Sequence, residues 1–408
     1  MKVPKGTKDS SPTEERLKQK ISKDCEKIFI NYAAVRIDTP TFELYDLLMN
    51  KYDNEKEIFI LENKKQLGEK TALRYDLTVP FSRYVKNNGI KKMRRYQIGK
   101  VFRRDKPSPG RYREFTQCDY DCLGKNDEIL TDIETLNLLN TILTKLRTKY
   151  NLPEYVIRVN SREILSEIMS LCNIPIELHK TICSSIDKLD KFSWETVKLE
   201  ISEKGLNDES IRLLSESLFN NNYFAQNNNK IKRILDTVEN TKLDLTLARG
   251  LEYYTGVIFE VVLKDINGAS ISGGGRYDNL MDIPCIGFSL GIDRIMNYVT
   301  FDFQQKIKVW VVEINRSKSE VITDYRMKIV NDLRKNGICV GTDMKTKTPT
   351  LKKSFKYAAE NKIPFVIIIG ETEVTNNQVT IKNMNTQKQT TISYQDICNF
   401  IEVIKIDN

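Results

Sequence analysis

RRYQIGKVFRRDKPSPGRYREFTQCDYD, residues 94–121, decides how this chain folds. Tyr96, Ile98, Val101 and Phe102 read as one strand, and Tyr112, Phe115, Cys118 and Tyr120 as its return. Lys106, Pro107, Ser108, Pro109 and Gly110 make the turn, because proline presets φ and glycine tolerates the backbone angles of a reversal. Arg103 and Arg111 bracket that turn. A hairpin would set their permanently charged guanidinium forks on paired strands, an arrangement suited to a nucleotide phosphate. Taken alone, the same hairpin also fits a solvated basic edge.

Upstream, Ser11, Pro12, Thr13 and Glu14 open a helix with a capping-box pattern, and Leu17, Ile21, Ile28 and Tyr32 recur on one face. Strand character follows at residues 35–38 and ends at Thr39 and Pro40. Downstream, a long helix is expected over 127–149, with Ile129, Ile133, Leu136, Leu143 and Leu146 as its apolar stripe. Residues 160–242 are polar, lysine-rich and helical in pattern, with runs of asparagine, and read as an inserted module. Strand signals return at 256–262 and 286–291, with Gly273, Gly274 and Gly275 between them, a run that alone suggests a turn. The first domain is therefore assigned to 1–159 and 243–303. From 306 to 408 the pattern is strand, helix, strand, helix, strand, hairpin and last helix, a separate α/β domain.

The chain has 408 residues, 40% of them hydrophobic, and a formal net charge of +9, which favours an anionic partner such as nucleotide or nucleic acid over a membrane. No apolar run approaches the ~20 residues a spanning helix needs. The N-terminal MKVPKGTKDSSP has neither a signal-type apolar core nor an Arg-rich presequence, so a cytoplasmic location is expected. Eight cysteines without CxxC spacing and a single histidine, His179, make a zinc site and histidine-based catalysis unexpected. Cys118 and Cys122 fall on one strand face and read as core.

ALRYDLTVPFSRY (72–84), GRYREFTQCDYD (110–121), ARGLEYYTG (248–256) and the Gly291, Ile292, Asp293, Arg294 run occur in that order. Asp76, Asp121 or the Tyr253–Tyr254 pair would each, alone, fit a turn carboxylate, an ion pair or strand packing. Together they resemble the histidyl-tRNA synthetases, a class II aminoacyl-tRNA synthetase family, in their eukaryotic and archaeal form. The resemblance runs from Pro4 to the C-terminal domain and weakens over 160–242.

The resemblance implies an α+β fold: an antiparallel six- or seven-stranded sheet flanked by helices, a helical insertion, and a C-terminal anticodon-binding domain. It implies a homodimer formed through residues 28–48, and ATP with Mg²⁺, L-histidine and tRNA(His) as partners. Arg103 and Arg249 would neutralise charge at the reacting carboxylate and α-phosphate. Arg111, Tyr112 and Arg294 would hold the rest of the nucleotide. Asp76, Leu77, Thr78 and Gln117 would surround the α-amino group of histidine, and Asp121, Tyr253 and Tyr254 its ring. Lys106 and Arg113 would meet the acceptor end of the tRNA, and Lys352 and Lys353, with Lys345, Lys347 and Lys356, its anticodon arm.

The chain departs from the family pattern at Glu252, where Asp is usual. Its 279–284 loop and its insertion are short, and no helical tRNA-binding extension precedes Pro4. A non-catalytic regulatory paralogue would be expected to lack the C-terminal domain or key arginines. A general RNA-binding scaffold leaves Asp76, Gln117, Asp121 and Tyr254 without a purpose.

Overall fold

The computed structural model describes residues 1–49, 57–61, 69–108, 110–219, 221–250, 253–264, 266, 269–301, 307–314, 319–344 and 350–397. Pro109, Leu251, Glu252, Lys345, Lys347 and most of the expected last helix lie outside them. The chain divides into two compact units, Met1–Phe301 and Asp302–Asn408.

In the first unit, helix α1 (Pro12–Asn31) starts at Ser11, whose hydroxyl accepts from the Glu14 amide while the Glu14 carboxylate accepts from the Ser11 amide. The reciprocal cap satisfies two donors that a helix start otherwise leaves open. Strands β1 (Val35–Arg36), β2 (Phe42–Leu44) and β3 (Thr71–Leu73) follow, with the short α2 (Tyr45–Met49) between the last two and α3 (Thr78–Asn87) after them. The predicted hairpin is β4 (Met93–Phe102) with β5 (Glu114–Leu123), and α4 (Glu128–Tyr150), capped by Asp127, comes next. Strand β6 (Tyr155–Ser161) leads into helices α5 (Arg162–Leu171), α6 (Ile176–Ile186), α7 (Trp194–Glu203), α8 (Asp208–Phe219), α9 (Asn221–Asn227) and α10 (Asn229–Thr237). Strands β7 (Thr241–Leu243), β8 (Val257–Leu263), β9 (Ser270–Arg276) and β10 (Cys285–Gly291), then α11 (Ile292–Met296), complete the unit. Asn160 and Ser161 thus belong to β6, and Thr241 and Lys242 to β7, with the helices of the expected insertion between them.

Eight strands form one sheet in the order β1-β4-β5-β10-β9-β8-β6-β7. The central six are antiparallel neighbours, and β1 and β7 each lie parallel at an edge. The six antiparallel strands fall within the expected six or seven, and a short parallel strand is added at each edge. The glycine run is not a turn: it lies inside β9.

One sheet face is apolar. Phe29 from α1 stacks on Tyr96 at 5.1 Å and on Tyr120 at 5.9 Å, and Tyr120 stacks on Phe288 at 5.6 Å. Each such pair adds about 0.5–1.5 kcal/mol beyond its burial. Cys118 and Cys122 are buried as expected. The opposite face, one residue out of phase along every strand, carries polar groups and glycine.

The second unit is a five-stranded sheet. Strands β11 (Val309–Glu313), β12 (Val340–Thr342) and β13 (Phe365–Ile369) are parallel, and β13, β14 (Gln378–Asn383) and β15 (Gln389–Ser393) are antiparallel, in the order β12-β11-β13-β14-β15. Helices α12 (Glu320–Lys335) and α13 (Leu351–Glu360) make the crossovers that parallel strands require. Val311, Ile329, Leu333 and Ile367 centre its core.

Candidate active site

The polar sheet face is built by register. Gln117, Asp119 and Asp121 of β5 lie opposite Gly99, Gln97 and Arg95 of β4 on one side, and Gly291, Ser289 and Gly287 of β10 on the other. Gly273 pairs with Ser289, Glu260 with Gly273, and Arg158 with Glu260, so the row continues across β9, β8 and β6. Above this floor opens a cavity of 770 Å³. The glycines give it depth. A Cβ at Gly287 would overlap the Asp121 carboxylate, and one at Gly275 would stand 2.7 Å from Tyr254 Cδ1.

Four arginines line the cavity: Arg103, Arg111, Arg249 and Arg294. Arg103 follows the end of β4, donates to the Tyr75 carbonyl at 3.1 Å, and lies over the Tyr75 ring at 4.2 Å. The buried Arg74 fixes that neighbour, bonding the Thr39 carbonyl at 2.8 Å and the Lys100 carbonyl at 2.7 Å. Arg111 pairs with Asp105 at 2.7 Å. Arg249 bonds Glu260, and the α6-flanking carboxylates Asp190 and Asp187 lie 3.3 and 3.5 Å from it. Arg294 donates to the Ser270 carbonyl at 2.6 Å. Burial first, then repulsion from Arg111, lowers the pKa of Arg294, so an anion entering here relieves the crowding of like charge.

The carboxylate end differs. Arg95 is fully buried beneath the floor and pairs with Asp121 at 2.6 Å, while the Tyr277 hydroxyl donates to the other Asp121 oxygen. Burial raises the Asp121 pKa, and Arg95 and Tyr277 oppose it. Asp119 is pushed up to about 7, chiefly by burial, with Arg95 opposing and Asp121 reinforcing the shift. Among the described residues Gln117 Oε1, Asp119 Oδ1 and Asp121 Oδ2 are buried without a hydrogen-bond partner. Asp76 accepts from the amides of Thr78 and Val79, both at 3.0 Å, which anchors it at the start of α3. The Tyr253 ring stacks on Tyr277 at 5.0 Å and meets Tyr254 edge-on.

Of the residues singled out from sequence, Asp76, Thr78, Arg103, Arg111, Tyr112, Gln117, Asp121, Arg249, Tyr253, Tyr254 and Arg294 line this one cavity. Leu77 does not: it is buried below it, its carbonyl accepting from Arg95 at 3.3 Å. Arg113 lies outside, donating to the Asp105 carbonyl at 3.2 Å and the Lys5 carbonyl at 3.5 Å. Lys106 is exposed at the hairpin tip, and Lys352 and Lys353 are exposed on α13 of the second unit. Asp119, Tyr277, Ser289 and Arg95 were not anticipated. The period-two row Gln117, Asp119, Asp121 could have found Asp119.

Among the described residues no group of three or more His, Cys, Asp or Glu side chains is arranged to hold a metal ion. No described helix is long and apolar enough to cross a membrane.

A family model described as histidyl-tRNA synthetase matches residues 6–295, and one described as anticodon binding domain matches residues 308–404. A protein of Encephalitozoon cuniculi, named as a probable cytoplasmic histidine–tRNA ligase, is 35% identical over 98% of this chain and 98% of its own length. A mitochondrial histidine–tRNA ligase of Mus musculus is 35% identical over 97% of this chain and 87% of its own. Among solved structures, a histidyl-tRNA synthetase from Nostoc sp. PCC 7120 superposes with a TM-score of 0.78 at 26% identity, over 100% of this chain and 99% of that one.

Proposed function

Because the chain belongs to the histidyl-tRNA synthetase family, we propose that its cavity joins histidine to ATP and then hands the aminoacyl group to tRNA. The protein is a histidine–tRNA ligase that uses ATP, and its C-terminal domain belongs to the anticodon-binding type. The observation that carries the site reading is the gathering of four arginines and a buried donor–acceptor floor around one cavity.

In the first step a histidine carboxylate oxygen attacks the α-phosphate in line. An O–P bond forms, the bond to pyrophosphate breaks, and negative charge grows on the equatorial oxygens. Both reactants are anions, so fixed cations are the main requirement. Arg103 and Arg249 are assigned to the carboxylate and α-phosphate. Arg111, Tyr112 and Arg294 take the nucleotide and the departing pyrophosphate. Asp76, Thr78 and Gln117 receive the ammonium group over the backbone of Leu77, and Asp121, Tyr253 and Tyr254 enclose the ring. A site that bonds the ring nitrogens rejects phenylalanine by ~10⁴-fold or more, because its buried polar groups are then left unpaired.

Mg²⁺ would come as the companion of ATP and would supply further positive charge to the phosphates, beside Arg111 and Arg294. In the second step a ribose hydroxyl of the terminal adenosine attacks the acyl carbon, AMP leaves, and a phosphate oxygen of the adenylate accepts the proton. Lys106 and Arg113 at the hairpin tip are assigned to the acceptor end, and Lys352 and Lys353 to the anticodon arm. Residues 160–242 are read as the insertion module and 306–408 as the anticodon-binding domain.

A homodimer is also proposed, supported by exposed Ile30 and Val35 at the end of α1 and in β1, and by exposed Phe42, Leu44, Ile60 and Leu61 on and beside the β2–β3 pair. A cytoplasmic location is proposed from the cytoplasmic relative and the N-terminal composition. Purified protein is expected to catalyse histidine-dependent ATP–pyrophosphate exchange. Absence of exchange with histidine, or equal exchange with phenylalanine, defeats the reading.

A further inference from the structure

Lys180, Ser184 and Asp187, from the segment read as the insertion, line the cavity, and none of the roles assigned above uses them. Their spacing of four and then three puts them on one face of α6 and of the single helical turn that follows it, Asp187–Asp190. That turn brings two carboxylates to Arg249. Asp187 Oδ1 stands 3.5 Å from Arg249 Nε, and neither atom makes a hydrogen bond among the described residues. Asp190 does make one, accepting from Arg249 Nη2 at 3.3 Å.

Asp190 is also tied to the sheet. Its other oxygen, Oδ1, accepts from Arg158 Nη1 at 2.6 Å, and Arg158 is held in turn by Asp244 at 2.7 Å and by the Thr246 hydroxyl at 3.2 Å. Arg158 belongs to β6 and Asp244 directly follows β7, so this carboxylate joins the insertion to the sheet edge. Arg249 itself lies in the connection between β7 and β8, outside any strand or helix. Its guanidinium is gripped at both ends, by Glu260 of β8 on Nη1 and by Asp190 on Nη2. One such bond lets the planar fork swing, whereas two fix its plane and still leave N–H donors for an incoming anion. We propose, on the basis of the ligase reading above, that Asp190 is a positioning residue: by bridging Arg158 and Arg249 it holds the arginine in the plane that meets the attacking carboxylate and the α-phosphate. The insertion then contributes to adenylate formation before any tRNA arrives.

The test is Asp190→Asn in the full chain, assayed for histidine-dependent exchange and for calorimetric binding of histidine and of histidinol, which carries a hydroxymethyl group in place of the carboxylate. Asp190 is partly exposed and Glu260 stays in place, so kcat is expected to fall about ten-fold rather than the ~10²-fold that a misplaced group can cost. Histidine binding should weaken about three-fold or more, and histidinol binding should change less than about two-fold. In an Arg249→Ala background the same substitution is expected to change rate and binding by less than about two-fold, because the residue through which it acts is gone. An unchanged rate overturns the proposal, and so does tighter binding of histidine, which would make Asp190 a competitor of the substrate for Arg249. An equal loss for histidinol, or a full effect without Arg249, gives Asp190 a structural role and also overturns it. If Asp190→Asn fails to fold in thermal unfolding, Asp190→Ser is used with the same expectations. Wild-type protein that binds histidine but performs no exchange defeats the ligase reading, while the comparison of histidine with histidinol still decides whether Asp190 acts on the carboxylate through Arg249.

Discussion

Arg95 and Asp121 meet at 2.6 Å across the β4–β5 ladder, and both side chains are buried. Their pairing sits under the cavity, with Arg95 also 4.5 Å from the Phe81 ring. Removing one partner of such a pair leaves an uncompensated charge where no water reaches. Arg95→Met is expected to destabilise the first unit by about 3–5 kcal/mol in urea unfolding. Adding Asp121→Asn should recover a large part of that loss. A double variant no more stable than the single one would show that the cost lies in packing rather than charge.

The three glycines of β9 are expected to respond differently to the same methyl group. A Cβ at Gly273 faces the cavity, with the Phe259 carbonyl its nearest neighbour at 3.8 Å, whereas one at Gly275 meets the Val257 carbonyl at 2.6 Å and Tyr254. One at Gly274 would overlap the Gly287 carbonyl. Gly273→Ala should therefore keep its stability and raise KM for ATP. Gly274→Ala and Gly275→Ala should each lose about 1–3 kcal/mol, the usual penalty of overpacking. Denaturation curves and ATP titrations of the three variants separate the outcomes.

The hairpin was legible because apolar alternation and a Pro-Gly turn coincide, and the capping box at Ser11 because its two partners are local. Strand β1 was legible within residues 35–38, but its parallel pairing with β4 was not, and β7 was missed, since three residues carry no periodicity and such pairing is set by distant parts of the chain. Alternation assigns residues to faces without saying which polar face is buried. Arg95 and Asp119 were not singled out from sequence for that reason, and both are buried. The glycine run read as a turn because its reason, room for Phe259 and the Gly287 carbonyl at Gly274 and for Tyr254 at Gly275, lies elsewhere in the chain.

Asp119 also predicts a pH dependence. Its folded pKa of about 7 stands above the ordinary 3.8. Between these values the folded chain holds a proton that the unfolded chain has released, so stability falls as pH rises through the window and the full cost is present above it. The groups that set the shift, after burial, are Arg95, Asp121, Ser289 and Asp76. Asp119→Asn should therefore be more stable than wild type at pH 8, by a few kcal/mol at most. The gap should close toward pH 4. A constant difference across that range would rule out titration of Asp119 as its source.

Arg249 separates chemistry from folding. Glu260, its buried partner, also has Arg158 at 3.6 Å, so the carboxylate keeps a cation when Arg249 is removed. Arg249→Ala should unfold near the wild-type temperature yet lose ~10²–10³-fold in exchange rate, the scale of one preorganised transition-state donor. Near-normal exchange in a folded variant would remove Arg249 from the reaction.

Every described residue that lines the cavity belongs to the first unit, Met1–Phe301. The second unit has its own sheet and its own core around Val311 and Ile367. Adenylate formation and tRNA selection are thus assigned to separately folded parts. A chain ending at residue 301 should retain part of its histidine-dependent exchange, because no cavity residue is lost. Its charging of tRNA should fall much further, through KM for tRNA, since on the proposed assignment the anticodon-arm contacts are removed and the hairpin contacts to the acceptor end are kept. The intact chain's tRNA affinity should drop steeply with salt, in proportion to the phosphates it neutralises. A truncated chain whose affinity and salt slope match those of the intact protein would place the tRNA contacts elsewhere than Lys352, Lys353 and their neighbours.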